Sequence, residues 1–358
     1  MYDIAIIGAG PAGATLARLI GKKYKVLLVD RRPLTTPPNN RGVKCCGGLL
    51  APDAQKMLAR LGLGLPKEIT VGPQIFVVRT IDLESKLERY YQRFYFNMDR
   101  EEFDRWLVSL VPDSVDICCQ TLFKSYQRKQ QGFELKLLHK GQEIIKRARL
   151  IIGADGACSR VRKEAFPGIP TPDTYISIQE WYQTEDVLPY FSAIFDREVT
   201  DFYSWTIPKG DHFLLGAALE LEDNAWDKFK LLKQKLKNYG FQFGERVKKE
   251  GAFIMRPNSL KQVYTGREGI ALLGEAAGFI SPSSAEGFSY AMRSGLIAGE
   301  ILLDGIEDFC VNYKRETGKI RRNILLKNLK SPFMYNHMIR KMVMKTGIDS
   351  VKVNRRGI

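Results

Sequence analysis

The sequence lacks any apolar run approaching the roughly 18 residues that a bilayer-spanning helix needs, which excludes an integral helical membrane protein. It has six cysteines, two pairs of them adjacent (Cys45-Cys46 and Cys118-Cys119), and none stands in a C-x-x-C or Cys/His spacing. Neighbouring cysteines rarely bridge each other, so reduced thiols are expected and a structural metal is not. Histidine is scarce. His139, His212 and His337 lie in unrelated contexts and read as surface or packing residues, and no Ser/His/Asp arrangement accompanies them. Internal repeats are absent and low-complexity stretches few, which leaves repeat arrays and disordered chains aside.

What is present is a chain of 358 residues with 44% apolar composition, enough for a large core and, by length, two domains. Its N-terminal stretch reads as one βαβ unit. The apolar run Asp3-Ile4-Ala5-Ile6-Ile7 leads into Gly8-Ala9-Gly10-Pro11-Ala12-Gly13, a small-residue helix, and a second apolar run ending in Asp30. Gly8 permits a tight turn, Gly10 removes the Cβ that would hold the backbone off a pyrophosphate, and Gly13 allows close helix–strand packing. The helix start at Pro11 and Ala12 presents unpaired amides and the positive dipole end to phosphates. Asp30, seventeen residues past Gly13, stands where a carboxylate accepts from ribose hydroxyls. These features predict a dinucleotide site. Its first strand starts at Asp3, so no signal peptide is expected, and the expected location is cytoplasmic.

After Arg31 and Arg32 a polar, proline-rich loop runs through Arg41 to Cys45-Cys46-Gly47-Gly48. A loop this long beside a nucleotide site is expected to reach over the ligand, with Arg31 and Arg41 among the contacts. A short helix is expected over Pro52–Leu61 and strands over Pro73–Asn97. Asp99 caps a helix opening at Arg100, and further strands are expected near Val115–Cys118, Phe133–Leu138 and Arg149–Gly153. The section Thr171–Pro257 has β-like runs and little nucleotide-fold character. The expected organisation is a discontinuous nucleotide-binding domain over residues 1–72, 98–170 and 258–310. A substrate domain over 73–97 and 171–257 is built on a mixed or antiparallel sheet, and a basic helical C-terminal region covers 311–358.

Two later stretches return to the opening unit. Leu150-Ile151-Ile152-Gly153-Ala154-Asp155-Gly156 runs on to Ser159 and Arg162, and Gly269–Leu273 runs into Gly274-Glu275-Ala276-Ala277-Gly278 and, further on, Glu286-Gly287-Phe288. Each is an apolar strand that stops at a small-residue turn, and ligands of open α/β sheets sit beyond such strand ends. A helix starting near Ala285 would aim its amides at the same ligand.

The order G-x-G-x-x-G, D-G-x-x-S-x-x-R and G-E-A-A-G resembles the FAD-dependent oxidoreductases of the para-hydroxybenzoate hydroxylase fold. Cys46-Gly47-Gly48, Tyr203-Ser204-Trp205-Thr206-Ile207-Pro208-Lys209 and Glu286–Ala291 are similar to the geranylgeranyl reductase family, and within it to the colicin M resistance (CbrA-type) branch. The likeness extends from Tyr2 to about Thr346. It implies an α/β fold with a Rossmann-like FAD-binding domain of the glutathione reductase type, FAD held noncovalently, and a substrate pocket against the second sheet. By the same resemblance Gly8, Gly10, Gly13 and Asp30 hold the ADP half of FAD, Arg100 contacts the cofactor, and Asp155 and Gly156 lie beside its channel. Gly274 and Gly287 belong to the turns facing it. Glu275, where most relatives have Asp, holds the ribitol.

Cys46 precedes two glycines that let the backbone approach the flavin, and its thiol can give a proton to a substrate carbon or simply fit a crowded loop. Tyr203 and Trp205 alternate on one strand and suit either a flat wall for an apolar substrate or ordinary core packing. The single G-x-G-x-x-G leaves no second site for a resident nicotinamide, so NAD(P)H is expected only as a transient donor. From Val311 to Ile358 thirteen Lys and Arg stand against Glu316 and Asp349, a net +11 of the chain's +15. Apolar residues interleaved with this charge fit either a helix on an anionic membrane surface or a solvated helical cap, and peripheral contact at the inner face of the membrane is one expectation. Nucleic-acid binding is not expected, because no recognised module accompanies the charge. Reduction of a carbon–carbon double bond in an isoprenoid-like or other apolar substrate leads. Hydroxylation of an aromatic ring by a flavin monooxygenase and a flavoprotein acting mainly as a binding or resistance factor stand beside it.

Overall fold

The computed structural model describes residues 1–36, 44–185 and 189–353, so the predicted contact Arg41 lies outside the described residues. The chain opens as the glycine pattern predicts, with β1 (Tyr2–Ile7), α1 (Pro11–Ile20) and β2 (Val26–Val29). Then follow β3 (Leu49–Leu50), α2 (Pro52–Arg60), β4 (Ile75–Asp82), β5 (Leu87–Asn97) and α3 (Arg100–Ser109), whose Glu101 and Glu102 amides bond the side chain of Asp99. Strands β6 (Asp116–Cys118), β7 (Thr121–Lys129), β8 (Gly132–His139) and β9 (Gln142–Gly153) lead to α4 (Arg160–Ala165). Next come β10 (Asp173–Gln183), β11 (Tyr190–Phe195), β12 (Ser204–Lys209), β13 (His212–Glu220), α5 (Ala225–Tyr239) and β14 (Arg246–Arg256). The chain continues through β15 (Gly266–Arg267), β16 (Ile270–Leu272), α6 (Phe288–Asp304), α7 (Phe309–Glu316), α8 (Gly318–Tyr335) and α9 (His337–Thr346).

Two sheets carry the site. In the first, β15-β16-β9-β1-β2-β6 lie side by side, and β8, with β7 beyond it, pairs along the early part of β9. The four pairings within β16-β9-β1-β2-β6 are parallel. Parallel strands are covered on both faces, and residues 4–7, 26–29 and 270–272 are accordingly buried throughout. Their carboxyl ends, at Ile7, Val29, Gly153 and Leu272, fall together at one edge.

The second sheet has the order β14-β10-β13-β12-β11-β4-β5-β3, antiparallel except where β11 runs parallel to β4. It is therefore mixed, and it takes in β3 at Leu49–Leu50, outside the segments expected to form it. Side chains alternate across a strand. On β13, Phe213, Leu215, Ala217 and Leu219 pack with Phe229, Leu232 and Leu236 of α5, while Leu214 and Ala218 join Trp205 and Ile207 on the opposite face. The β-like runs of the sequence predict no helix in this region, although Ala225, Phe229, Leu232 and Leu236 recur at helical spacing. They predict no strand at β7 either, whose surface pattern is too polar to stand out.

The C-terminal helices tie the sheets together. Tyr313 on α7 donates to Leu272 O at 3.3 Å, and Tyr335 at the end of α8 packs against Phe195 and Phe202. Arg340 of α9 is buried, with Nε 2.8 Å from Asp82 Oδ2 and its guanidinium over the Phe195 ring. Removing one partner of a buried pair strands the other charge. Arg340→Met should lower stability by about 3–5 kcal/mol in urea unfolding, and Asp82→Leu combined with Arg340→Met should recover most of that loss.

Candidate functional site

At the carboxyl ends of the first sheet's strands a cavity of about 1580 Å³ extends onto the inner face of the second sheet. Among the predicted site residues that the structure describes, all except Gly13 line it. Gly13 instead backs the glycine turn. A Cβ there would stand 1.9 Å from Gly8 O, and one on Gly8, at φ +107°, would stand 2.3 Å from Ala154 O. Gly10 faces open space, and a methyl group on its Cα would meet nothing within 4 Å. It also precedes α1 without offering a side-chain cap, so the first amides of that helix remain available to an anion.

Asp30 is engaged by the protein itself. Its Oδ2 accepts from Ala9 N at 2.8 Å, inside the glycine turn, and its Oδ1 accepts from Arg32 N at 2.8 Å. Arg32 reaches on to Asp104 at 2.6 Å, and Asp104 also accepts from Nε and Nη2 of Arg100, at 2.9 and 3.2 Å. Burial alone would raise the Asp104 carboxyl, but Arg100 and Arg32 hold it below the ordinary range. Arg100 lies over the Phe288 ring, 4.7 Å from its centroid, at the start of α6. Arg31, next in the chain to Asp30, is exposed at the cavity rim. Neither Arg32 nor Asp104 stands out from sequence as a site residue. Nothing in Arg31-Arg32 tells which arginine turns inward, whereas the acid four residues past Arg100 is a usable signal.

The second and third turns close against the first. Asp155 turns its carboxylate into the start of α4, accepting from Ser159 Oγ at 2.6 Å, Arg160 N at 2.7 Å and Val161 N at 3.1 Å, while Gly156 presents backbone to the cavity. Burial raises its pKa against those bonds. The motif's last residue, Arg162, is buried and donates to Ala276 O, Pro170 O and Gln262 O at 2.7–3.2 Å, stapling this turn to the next. Gly274 N is held by Ser294 Oγ at 2.9 Å. Glu275 links the sheets, accepting from Met255 N at 3.2 Å with Lys44 Nζ 4.0 Å from its other oxygen. The helix expected near Ala285 starts at Phe288 instead. Ala285 sits at φ +52° in a turn that bonds Ser281 and Glu286, and Gly287 is the uncapped residue before α6.

Beyond these turns the cavity becomes an aromatic chamber. Cys46 Sγ accepts from Gly48 N at 3.4 Å. A Cβ on Gly47 would meet Ile207 Cδ1 at 2.5 Å, so this turn is pressed against β12. Tyr203 and Trp205 stand with ring centroids 5.4 Å apart, and the Tyr203 hydroxyl donates to Ser284 O at 2.8 Å. Phe191, Phe195 and Tyr95 continue the wall, and Glu286 accepts from Tyr95 at 3.1 Å and Arg93 at 2.9 Å. Lys209, unremarked from sequence as a site residue, is buried behind Cys46 and donates to Met98 O at 2.8 Å and Gly48 O at 3.3 Å. Burial brings its pKa down to about 8 against the opposing pull of Cys46 and Asp99.

The family model for an FAD binding domain matches residues 1–203. The protein CbrA of Escherichia coli O6:H1 is 39% identical over 354 residues, covering 98% of this chain and 94% of that one. Protein CbrA of Shigella sonnei is also 39% identical, covering 98% of each chain. Among solved structures, a geranylgeranyl bacteriochlorophyll reductase-like protein from Thermoplasma acidophilum superposes with TM-score 0.81 at 19% identity, over 97% of this chain and 91% of that one. PqsL, a probable FAD-dependent monooxygenase from Pseudomonas aeruginosa, superposes with TM-score 0.69 at 17% identity, over 97% and 99%. At such identities these two likenesses concern the fold.

Lys209 gives the site a pH signature. Its folded-state pKa lies below the ordinary lysine value, so the unfolded chain binds the extra proton between about pH 8 and 10.5. Stability should therefore rise with pH across that window, by up to about 3 kcal/mol. The difference in unfolding free energy between the wild type and Lys209→Met, followed by urea titration from pH 7 to 10.5, should carry that rise.

Proposed function

We propose, from the premise that this chain belongs to the FAD binding domain family and to the same family as the CbrA proteins, that it reduces a carbon–carbon double bond in an apolar, isoprenoid-like substrate. The observation that carries this reading is one continuous cavity, from the glycine turn to the aromatic chamber, with the Cys46 thiol in the glycine-rich loop between the two. Pockets for one small ligand hold about 300–1,000 Å³, so the volume leaves room for a dinucleotide and a second molecule.

The residues present fit FAD. Gly10 leaves the approach to the α1 amides open, where a pyrophosphate gains from the helix dipole. Asp30 sets the glycine turn through Ala9 N, and with Arg32 bonded to both of its oxygens the carboxylate serves by fixing the backbone that meets the nucleotide. Arg100, Glu275 and the backbone at Cys46-Gly47 line the path to the chamber, and the uncapped start of α6 favours negative charge there. When bound and reduced, FAD supplies the hydride taken up by one alkene carbon. The Cys46 thiol gives its proton to the other carbon and regains one from water. Tyr203, Trp205, Phe191 and Phe195 hold the apolar chain and exclude bulk water. One glycine-rich turn serves the resident cofactor, which supports NAD(P)H as a visiting electron donor.

Anaerobic incubation of the FAD-loaded protein with NADPH or dithionite and a polyprenyl substrate should yield a product two hydrogens heavier by mass spectrometry. Cys46→Ala should lower that turnover about 10²-fold, the usual scale of a lost general acid, while chemical reduction of the flavin stays unchanged. Full turnover by Cys46→Ala would remove the proton-donor role. Oxygen incorporation or NADPH-driven peroxide formation in air, without anaerobic alkene reduction, would favour a monooxygenase. A stable flavoprotein that no donor reduces would favour a binding factor.

A further inference from the structure

We infer that α8 and α9 form a docking face for an anionic lipid bilayer, and that the chamber takes its substrate directly from that bilayer. Ten of the twenty exposed large apolar side chains among the described residues fall between Leu325 and Val351. On α8, Leu325, Leu329 and Phe333 recur at every fourth position, which places them along one stripe, with Leu326 beside them. On α9, Met338 and Met342 continue the exposed apolar surface one turn apart, each about two-thirds accessible. Helices of a folded domain turn such residues inward. Here α8 buries Ile320 and Ile324, and α9 buries Arg340 and Met344, and the stripe is left outside.

Charge selects the partner. Arg322, Lys330, Lys345 and Lys352 are exposed around the stripe, within the stretch that carries +11 of the chain's charge. Apolar side chains flanked by exposed cations match the boundary between acyl chains and anionic headgroups. An acidic protein would satisfy the cations but offers no reason for ten water-facing apolar groups. Among the described residues no helix is long and apolar enough to cross a membrane, so the contact is peripheral.

Continuity with the chamber gives the face its purpose, and this part rests on the reading of an apolar substrate. Phe333, Met334, Met342, Val343 and Ile348 are exposed and also line the cavity. The apolar surface therefore continues from the outer face into the cavity lining at these five residues, with Lys327, Arg340, Thr346 and Asp349 beside them. A lipid chain lying in the bilayer would enter past Phe333 and Met342 and reach Trp205 and Cys46 without crossing water.

Co-sedimentation of the full-length, FAD-loaded protein with vesicles tests this, comparing phosphatidylcholine alone with an equal mixture of phosphatidylcholine and phosphatidylglycerol. Binding to the mixed vesicles should exceed binding to neutral ones at least tenfold and fall as salt is raised. The double variant Leu329→Asp with Met338→Asp, which changes two exposed residues outside the cavity lining, should lose at least tenfold in vesicle binding. It should keep its flavin and its turnover of detergent-dispersed substrate. Equal binding of the double variant, absence of sedimentation with the mixed vesicles, or retention on polyglutamate in place of vesicles would each overturn the inference. Turnover of dispersed substrate without vesicle binding would overturn docking and leave the reductase standing. Vesicle binding without double-bond reduction would leave the docking face and remove the reductase.

Discussion

The structure turns on a run of alternating charges buried where the first sheet meets α3. Asp30, Arg32, Asp104 and Arg100 alternate in sign over four side chains, and Asp104 has no exposure to water. Isolated charges at that depth would be prohibitive, and each is tolerable only because its neighbours are opposite and directly bonded. The run fixes the glycine turn at one end, through Ala9 N, and sets Arg100 against Phe288 at the other. Two elements far apart in sequence, the start of α1 and the start of α6, are thereby oriented toward the same cavity.

Much of this is legible from the chain. Glycine spacing announces the turn between β1 and α1 because backbone collisions of 1.9 and 2.3 Å forbid any other residue at Gly13 and Gly8. The D-G-x-x-S-x-x-R motif likewise marks a real turn, but its acid and arginine bond protein groups, the α4 amides and three carbonyls. A motif records which residues a turn requires and does not say whether they serve the ligand or the turn. Lys209 and Arg32 escape notice for a related reason. Each is an ordinary cation in sequence and is fixed in the site by a partner more than seventy residues away, Asp104 for Arg32 and Met98 for Lys209. The late start of α6 also follows from tertiary context, since residues 281–286 close a turn on themselves before the helix begins.

The second sheet divides its labour by the two-residue period of its strands. One face is filled by α5 and carries stability. The other, through Trp205, Ile207, Phe191 and Phe195, lines the cavity, and Tyr335 at the end of α8 supplies part of its cover. The wall of the chamber is thus made from a sheet face that would otherwise be an unfinished core.

The parallel pairing of β4 with β11 reaches further than the site. It joins Val77 to Tyr190, and around it the first sheet waits for β16 after residue 269 while β14 completes the second at Arg256. A growing polypeptide can therefore close neither sheet until some three-quarters of it has been synthesised. A fragment cut at residue 203, where the matched domain profile stops, would hold β1, β2 and β9 but lack β12 through β16. Nascent chains must keep long apolar strands unpaired during translation, a burden that falls on chaperones and not on the mature fold.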